Sequence, residues 1–228
     1  LTRSLVFVVK HLHWAPHSLI EAQRQIRIDR SIELLRRLES AHANEWQSIM
    51  TLDESWFYLW TSHETVCIQA GQQPPEMVKH MMGDRKMTMS IVWNSQGFHL
   101  VDAFPKGQKF NANYYIDRIL QPLLESRSTG GGPGLIIHAD NARPHIARKT
   151  FKFCRENRLE MALHQPYSPD LAPSDFFLFE HVKNVLEGAE FPSDETFLVA
   201  IQRALSDLTG DTLRVVFAKW LNGRIGSL

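Results

Sequence analysis

The short, continuous and largely apolar run Leu135-Ile136-Ile137-His138 constrains the fold more than any other stretch. Four such residues without alternation predict a strand covered on both faces, and strands of that kind sit in sheets flanked by helices. The run stops at Ala139-Asp140, so a carboxylate stands just past the strand's C-terminal end, where open α/β sheets hold ligands. Three further strands precede it or its helix: 49–60, rich in β-branched and aromatic residues; 87–93, alternating Met87, Met89, Ile91 and Trp93; and 98–104, returning after the turn Asn94-Ser95-Gln96-Gly97. Helices are predicted at about 112–124 and 145–157, a strand at 159–163, and a helix beginning at Ser174 or Asp175. Two C-terminal helices follow, one with Phe197, Ile201, Ala204 and Leu208 on a face, the next with Leu213, Val216, Phe217 and Trp220. The order β-β-β-α-β-α-β-α, then more helices, implies an α/β fold: a mixed five-stranded sheet with helices on both faces.

Upstream, Ser18 followed by Glu21 has the form of a capping box, and Ile28, Ile32 and Leu35 form an i, i+4, i+7 stripe on the helix it would start. His13-Trp14-Ala15-Pro16-His17 reads as an ordered linker, because Pro16 disfavours a helix at Ala15. The stretch 61–86, with Pro74-Pro75, has no regular pattern, and loops of that length are usually functional or disordered. The expected division is therefore a linker remnant at 1–18, an N-terminal helical segment at 19–48 and a catalytic domain at 49–228 with a loop insertion at 61–86.

Composition narrows the function classes. A chain of 228 residues with 43% hydrophobic residues supports a sizeable core in one domain, with or without an appendage. No apolar run approaches the roughly 18 residues of a membrane span, so no membrane partner is expected. Twenty-five basic against 25 acidic residues exclude a polycation that coats nucleic acid, while leaving room for a local basic groove. Cys67 and Cys154 cannot build a disulfide framework or a zinc site by themselves and suit a reducing compartment. With no signal-peptide pattern, an intracellular location is expected, in a nucleus or a bacterial cytoplasm. A chain opening on Leu1 reads as a fragment or a truncated copy, for which loss of an N-terminal partner domain is an expectation.

Three aspartates occupy places where chemistry is usually put. Asp53 lies inside the first strand, where a carboxylate lacks an obvious structural reason. Asp140 ends the buried strand, although Asp-Asn also suits a plain turn. Asp175 lies in a first helical turn behind Ser174, a candidate N-cap, and complementing the helix dipole would alone explain it. Asp170, in Ser168-Pro169-Asp170, is assigned to a turn. If the first and fourth strands are neighbours, Asp53 and Asp140 converge at one end of the sheet. Such carboxylates suit Mg²⁺ or Mn²⁺, and a pair of ions about 3.5–4 Å apart can drive phosphodiester cleavage.

At these residues the chain resembles a known family. TLDESW at 51–56, HADNARPH at 138–145 and PYSPDLAPSDFFLF at 166–179 closely resemble the signatures of mariner-type transposases and their bacterial insertion-sequence relatives. Asp140 and Asp175 are separated by 34 residues, the family's spacing, and HWAPHSL at 13–19 is similar to its linker motif. The resemblance implies a ribonuclease-H-like fold with a metal-binding catalytic triad of Asp53, Asp140 and Asp175. It also implies Mg²⁺ or Mn²⁺ as cofactor, two ions, with metal-dependent cleavage of DNA at transposon ends and strand transfer into target DNA. Partners would be transposon-end and target DNA and a second copy of the chain, with 61–86 as the loop that reaches across the homodimer, and a helix-turn-helix region upstream.

Around Asp140 the sequence turns basic. Arg148, Lys152 and Arg155 form a stripe on the predicted helix, with Arg143 and Lys149 nearby, beside an apolar line of Ala147, Phe151 and Cys154. The five cations are candidate DNA contacts, or a solvated face. His138 and His145 flank Asp140 and are read as hydrogen-bonding groups around the turn. Trp56, Trp60, Phe176, Phe177 and Phe179 are assigned to the core; Trp14 docks on a partner chain or packs locally. Two rivals stand beside the transposase reading. One is a transposase-derived protein without catalysis that serves in DNA binding or assembly, and the other is a general ribonuclease-H-like nuclease acting on RNA–DNA hybrids.

Overall fold

The computed structural model describes residues 19–60, 73, 85–105, 107–127 and 134–225. The linker at 1–18, with Ser18 and Trp14, and nearly all of the loop at 61–86 lie outside the described residues.

Five strands form one sheet: β1 (Ile49–Tyr58), β2 (Lys86–Asn94), β3 (Gly97–Ala103), β4 (Leu135–Ala139) and β5 (Leu159–Leu163), in the order β3-β2-β1-β4-β5. β1, β2 and β3 pair antiparallel, whereas β1–β4 and β4–β5 pair parallel. This is the mixed sheet expected from the element order. At the β2–β3 turn the Asn94 side chain accepts from the backbone N–H groups of Gln96 and Gly97 (2.8 and 3.2 Å), so the asparagine itself shapes the reversal.

Side chains alternate across the sheet and divide the interior into two cores. On one face Met50, Leu52, Ile137 and Ala139 pack against Tyr115, Ile119 and Leu123 from the segment containing α2 (Ala112–Tyr115) and α3 (Gln121–Arg127), and against Cys154 of α4 (Arg148–Glu156). Between α2 and α3 the backbone widens into a π-helical turn at Ile116–Leu120. On the other face Ile49, Phe57, Ile91 and Trp93 meet α1 (Glu21–Ala41), α5 (Phe179–Leu186), α6 (Asp194–Ser206) and α7 (Gly210–Lys219).

Several local expectations are corrected. α1 starts at Glu21 with Ile20 at the N-cap, whose N–H donates to Gln23 Oε1 (3.0 Å). Its packed face carries Ser31, Leu34, Leu38 and Ala41, while Ile28 and Ile32 are 51% and 45% exposed. The packed face lies roughly 100° around the helix from the isoleucine stripe. The physical reason is polar: Arg27 and Arg30 bond to loops beneath the packed face and Arg37 bonds to the Met161 carbonyl of β5, which fixes the helix's rotation. On α4, Thr150 and Cys154 are buried and Phe151 is 39% exposed. Trp56 is surface-exposed, with Lys86 Nζ 3.8 Å from its ring centroid. That arrangement gives the indole a cation in place of a core. Phe179 is buried, and Phe176 and Phe177 pack against the same core.

The orientation of α1 gives an expected pair of results. Leu38→Ala costs about 2–5 kcal/mol of unfolding free energy, and Ile32→Ala less than about 0.5 kcal/mol. Urea unfolding followed by circular dichroism measures both; equal losses would mean that α1 packs through its isoleucines.

Candidate active site

The parallel register between β1 and β4 pairs Thr51 with His138. Continued two residues, it sets Asp53 level with Asp140, midway along β1 and just past the C-terminal end of β4. Asp53 Oδ1 accepts from the Glu54 backbone N–H at 2.7 Å. Asp140 Oδ1 accepts from the Ala142 backbone N–H at 2.8 Å and lies 2.6 Å from His145 Nδ1, so the turn is closed by its own carboxylate.

Asp175 arrives from the opposite layer. It lies in a π-helical turn, Ser174–Leu178, that runs into α5, and two buried indoles hold that turn against the sheet. Trp93 Nε1 donates to Ser174 Oγ (3.1 Å), and Trp220 Nε1 donates to the Leu171 carbonyl (2.8 Å). Ser174 is therefore a buried acceptor and does not cap the helix as expected; the turn opens with Pro173 and the Asp175 N–H donates to the Ala172 carbonyl (3.0 Å). Arg27 of α1 grips the loop before it, with Nη2 2.7 Å from Asp170 Oδ2. Arg30 donates to Asn141 Oδ1 (2.7 Å), and Asn141 Nδ2 donates to the His164 carbonyl (2.9 Å).

Electrostatics distinguish the three aspartates. Burial pushes the Asp53 carboxyl well above the usual carboxylate range, and the charges of Asp175, Glu54 and Asp140 push it further. Partial burial and the Asp140 charge raise Asp175 to about 6, while a hydrogen bond with Asp53 and the charge of Lys183 work against the rise. Carboxyl groups whose charges raise one another in this way resist ionising together, since like charges close to each other disfavour the doubly charged state. Asp140 behaves differently: burial opposes its ionisation, but the hydrogen bond and charge of His145 outweigh it and hold the carboxyl below its ordinary value. His145 is raised to about 10; burial works against the proton, and the hydrogen bond to Asp140 together with the nearby Glu54 carboxylate overcomes it.

Asp140 and Asp175 line one open cavity of about 580 Å³ with Arg30, His164 and Tyr167. Among the described residues, no three His, Cys, Asp or Glu side chains stand close enough together to hold one ion by themselves. The donor set nevertheless fits a hard divalent cation. Mg²⁺ and Mn²⁺ take oxygen ligands, and Mg²⁺ is usually bound through one or two carboxylates while keeping several waters. Two carboxyl groups raised by burial and by neighbouring charge, next to a third held ionised, supply that chemistry.

Arg143, Arg148, Lys149, Lys152 and Arg155 are all surface-exposed beside Asp140. Lys149 Nζ donates to Asn113 Oδ1, and Lys152 lies 3.8 Å from Glu156. Sequence reasoning missed Glu54, Arg27, Arg30 and His164. For Glu54 a signal existed: it adjoins Asp53 in the same apolar strand, and the anomaly that marked Asp53 applied to it equally.

Comparison with known proteins bears on family and fold. A family profile described as "Transposase (partial DDE domain)" matches residues 61–124. The human "Histone-lysine N-methyltransferase SETMAR" is 27% identical over 220 residues, which span 91% of this chain and 31% of that protein. The "Mariner Mos1 transposase" of Drosophila mauritiana is 27% identical over 190 residues, 80% of this chain and 54% of that protein. The chain thus spans about a third and about half of these two relatives. The Mos1 mariner paired end complex with Mn superposes with a TM-score of 0.83 at 24% identity, covering 96% of this chain and 65% of that one. The catalytic domain of Mos1 mariner transposase superposes with a TM-score of 0.73 at 23% identity, covering 93% and 95%. The fold is accordingly ribonuclease-H-like, and in sequence the chain is similar to mariner-type transposases.

Proposed function

We propose that this domain cuts DNA at transposon ends and transfers the freed strand into target DNA, with Asp53, Asp140 and Asp175 as the ligands of two Mg²⁺ or Mn²⁺ ions. The observation that carries the reading is that Asp140 and Asp175 line one open cavity while Asp53 stands near enough for their charges to raise it, three carboxyl groups from separate elements, with an exposed basic helix after the Asp140 turn. The similar structure with Mn supports the choice of cation. When bound, the ions supply activation of a water or a 3′-hydroxyl and stabilisation of the leaving oxygen of a phosphodiester. The chain's own residues do the rest. Asp53 and Asp175 ionise to receive positive charge. His145 keeps Asp140 ionised and turned to its place, and Arg30 secures the neighbouring Asn141 turn. Arg148, Lys152 and Arg155, with Arg143 and Lys149, attract the phosphate backbone towards the cleft. The likeness to a paired end complex extends the proposal to a homodimer acting on two DNA ends. Residues 1–18 would connect this domain to an upstream DNA-binding region.

Three outcomes are expected. Mn²⁺-dependent nicking of supercoiled plasmid by the wild type falls more than about 100-fold in Asp140→Asn, because even the outer-shell partners of metal ligands are worth 10–100-fold. Equal nicking by both proteins would eliminate the site, and no metal-dependent nicking by the wild type would favour a DNA-binding protein without catalysis. In fluorescence titrations, the combined Arg148→Ala, Lys152→Ala and Arg155→Ala variant reduces the slope of log K against log salt by about 2.7, at roughly 0.9 per phosphate contact, equally for all sequences. An unchanged slope would make that face merely solvated.

The third outcome concerns stability. A carboxyl raised on folding favours the protonated protein, so the metal-free domain loses stability as pH rises from about 4, the unfolded value, through the Asp175 value of about 6. Asp53→Asn keeps an oxygen for the Glu54 N–H and removes the repulsion. It therefore melts about 2–4 °C higher than wild type at pH 7, equivalent to ~1 kcal/mol in a domain of this size, and at the same temperature as wild type at pH 4. A lower melting temperature at pH 7 would give Asp53 a structural role.

A further inference from the structure

We propose that Glu54 and His145 form a positioning relay that fixes which oxygen of Asp140 is presented to a divalent cation; the inference rests on the reading of Asp140 as a metal ligand. Because strand residues alternate, Asp53 and Glu54 leave β1 on opposite faces of the sheet. Glu54 points into the layer of α2 and α4. There Ser90 Oγ, on the paired strand β2, donates to Glu54 Oε1 at 2.7 Å, in the register that sets Glu54 opposite Ser90. Glu54 Oε2 faces His145 Nε2 at 3.5 Å, and the other ring nitrogen, Nδ1, lies 2.6 Å from Asp140 Oδ1.

The imidazole has little freedom to adopt another pose. It is 0% exposed, with the Tyr115 ring 4.6 Å and the Phe110 ring 5.5 Å from its centroid. At its far end Nε2 is buried without a hydrogen bond in the structure, and so is the Tyr115 hydroxyl. Two buried polar atoms short of partners beside one carboxylate are costly unless they serve an arrangement. Here the arrangement is the line from Glu54 to Asp140, on which the two carboxylates at 3.5 and 2.6 Å hold the ring.

The consequence falls on Asp140. Both hydrogen bonds described at its carboxylate, from Ala142 N–H and from His145, land on Oδ1. That leaves Oδ2 as the oxygen with lone pairs to offer, on a side chain that is 44% exposed to the cavity. A carboxylate held in this way need not rotate when a cation arrives, and avoiding that ordering step strengthens binding. Partners one shell outside a ligand commonly act like this: they fix orientation without touching the ion. Glu54 and His145 are positioning residues in this sense, and Ser90 anchors the far end of the relay.

The test is Mn²⁺ affinity of the full chain, read from free-ion electron paramagnetic resonance in the absence of DNA. His145→Gln is expected to raise the Mn²⁺ dissociation constant about 10–100-fold, the range typical of second-layer partners, with near-UV circular dichroism unchanged. Glu54→Gln, which keeps the size of the side chain and its oxygen for Ser90, is expected to move the constant in the same direction within or below that range, and it carries the test should His145→Gln not fold. Wild-type affinity in a folded Glu54→Gln and His145→Gln would overturn the relay while leaving the metal site intact. Wild-type protein that binds no Mn²⁺, or that binds it as well as Asp140→Asn does, would instead overturn the metal-site reading and the relay with it.

Discussion

The pairing of β1 with β4 is the constraint on which the rest of the structure depends. Parallel strands cannot be joined by a tight turn, so the chain must leave β1, build β2 and β3 on one side, cross through the α2–α3 layer and return. The reward is a register. Ile49, Met50 and Thr51 align with Ile136, Ile137 and His138, and the two strands end their apolar runs at the same height. A slip of one residue would send Asp53 and Glu54 each to the other's face. It would put Asp53 among Tyr115 and Cys154 and leave Glu54 against the cleft. The two cores forbid that slip, since Met50 and Leu52 must face one layer and Ile49 and Phe57 the other.

That register concentrates negative charge at the sheet's C-terminal end, and the surroundings answer it unevenly. Asp140 is offset by a buried histidine held between two carboxylates. For Asp53 and Asp175 the positive charge that offsets them is that of Lys183, acting on Asp175, and both stay raised. The imbalance is informative. A fold that needed only stability would neutralise all three, as it neutralises the buried Asp102 with Arg118 Nη2 at 2.6 Å and the Tyr114 hydroxyl at 2.6 Å. Leaving one pair short of positive charge at the edge of an open cavity lowers the stability of the metal-free domain and raises its attraction for cations, the usual exchange at functional sites.

What the sequence disclosed follows from the range of the interactions involved. Leu135 to His138 declared a buried central strand because burial on both faces leaves a local, contiguous mark. The turn at Asn94 was legible because its signal is the residue that shapes it. The three aspartates were marked partly by oddity of place and much more by family resemblance. Other features depended on contacts between residues far apart in the chain, up to 143 positions for Arg27 and Asp170. The rotation of α1 is decided by Arg27 reaching Asp170, and by Gln165 Nε2 donating to Ser31 Oγ at 3.1 Å, not by where its isoleucines lie. Ser174 resembled an N-cap from its neighbours, yet Trp93 claims its hydroxyl from across the sheet. Trp56 reads as core by composition, but its face of β1 runs out beyond the helical layer and Lys86 covers it instead.

The role of α1 follows from the same distances. It contributes Leu34, Leu38 and Ala41 to the core that includes Phe179 and Trp220, so it packs as part of the layer that carries Asp175. Along its length, Arg27 holds the 168–170 turn, Arg30 bonds to Asn141, and Arg37 pairs with Glu160 of β5 at 2.7 Å. The first two contacts fall on the loops that carry Asp175 and Asp140. Those carboxylates come from different layers and have no hydrogen-bonded ladder between them, so their separation must be set by a third element touching both. An arginine suits that task because its planar fork fixes direction as well as distance. A helix three residues out of phase would present different side chains to the two loops at once. The rotation of α1 and the spacing of the carboxylates are therefore one property of the fold, not two.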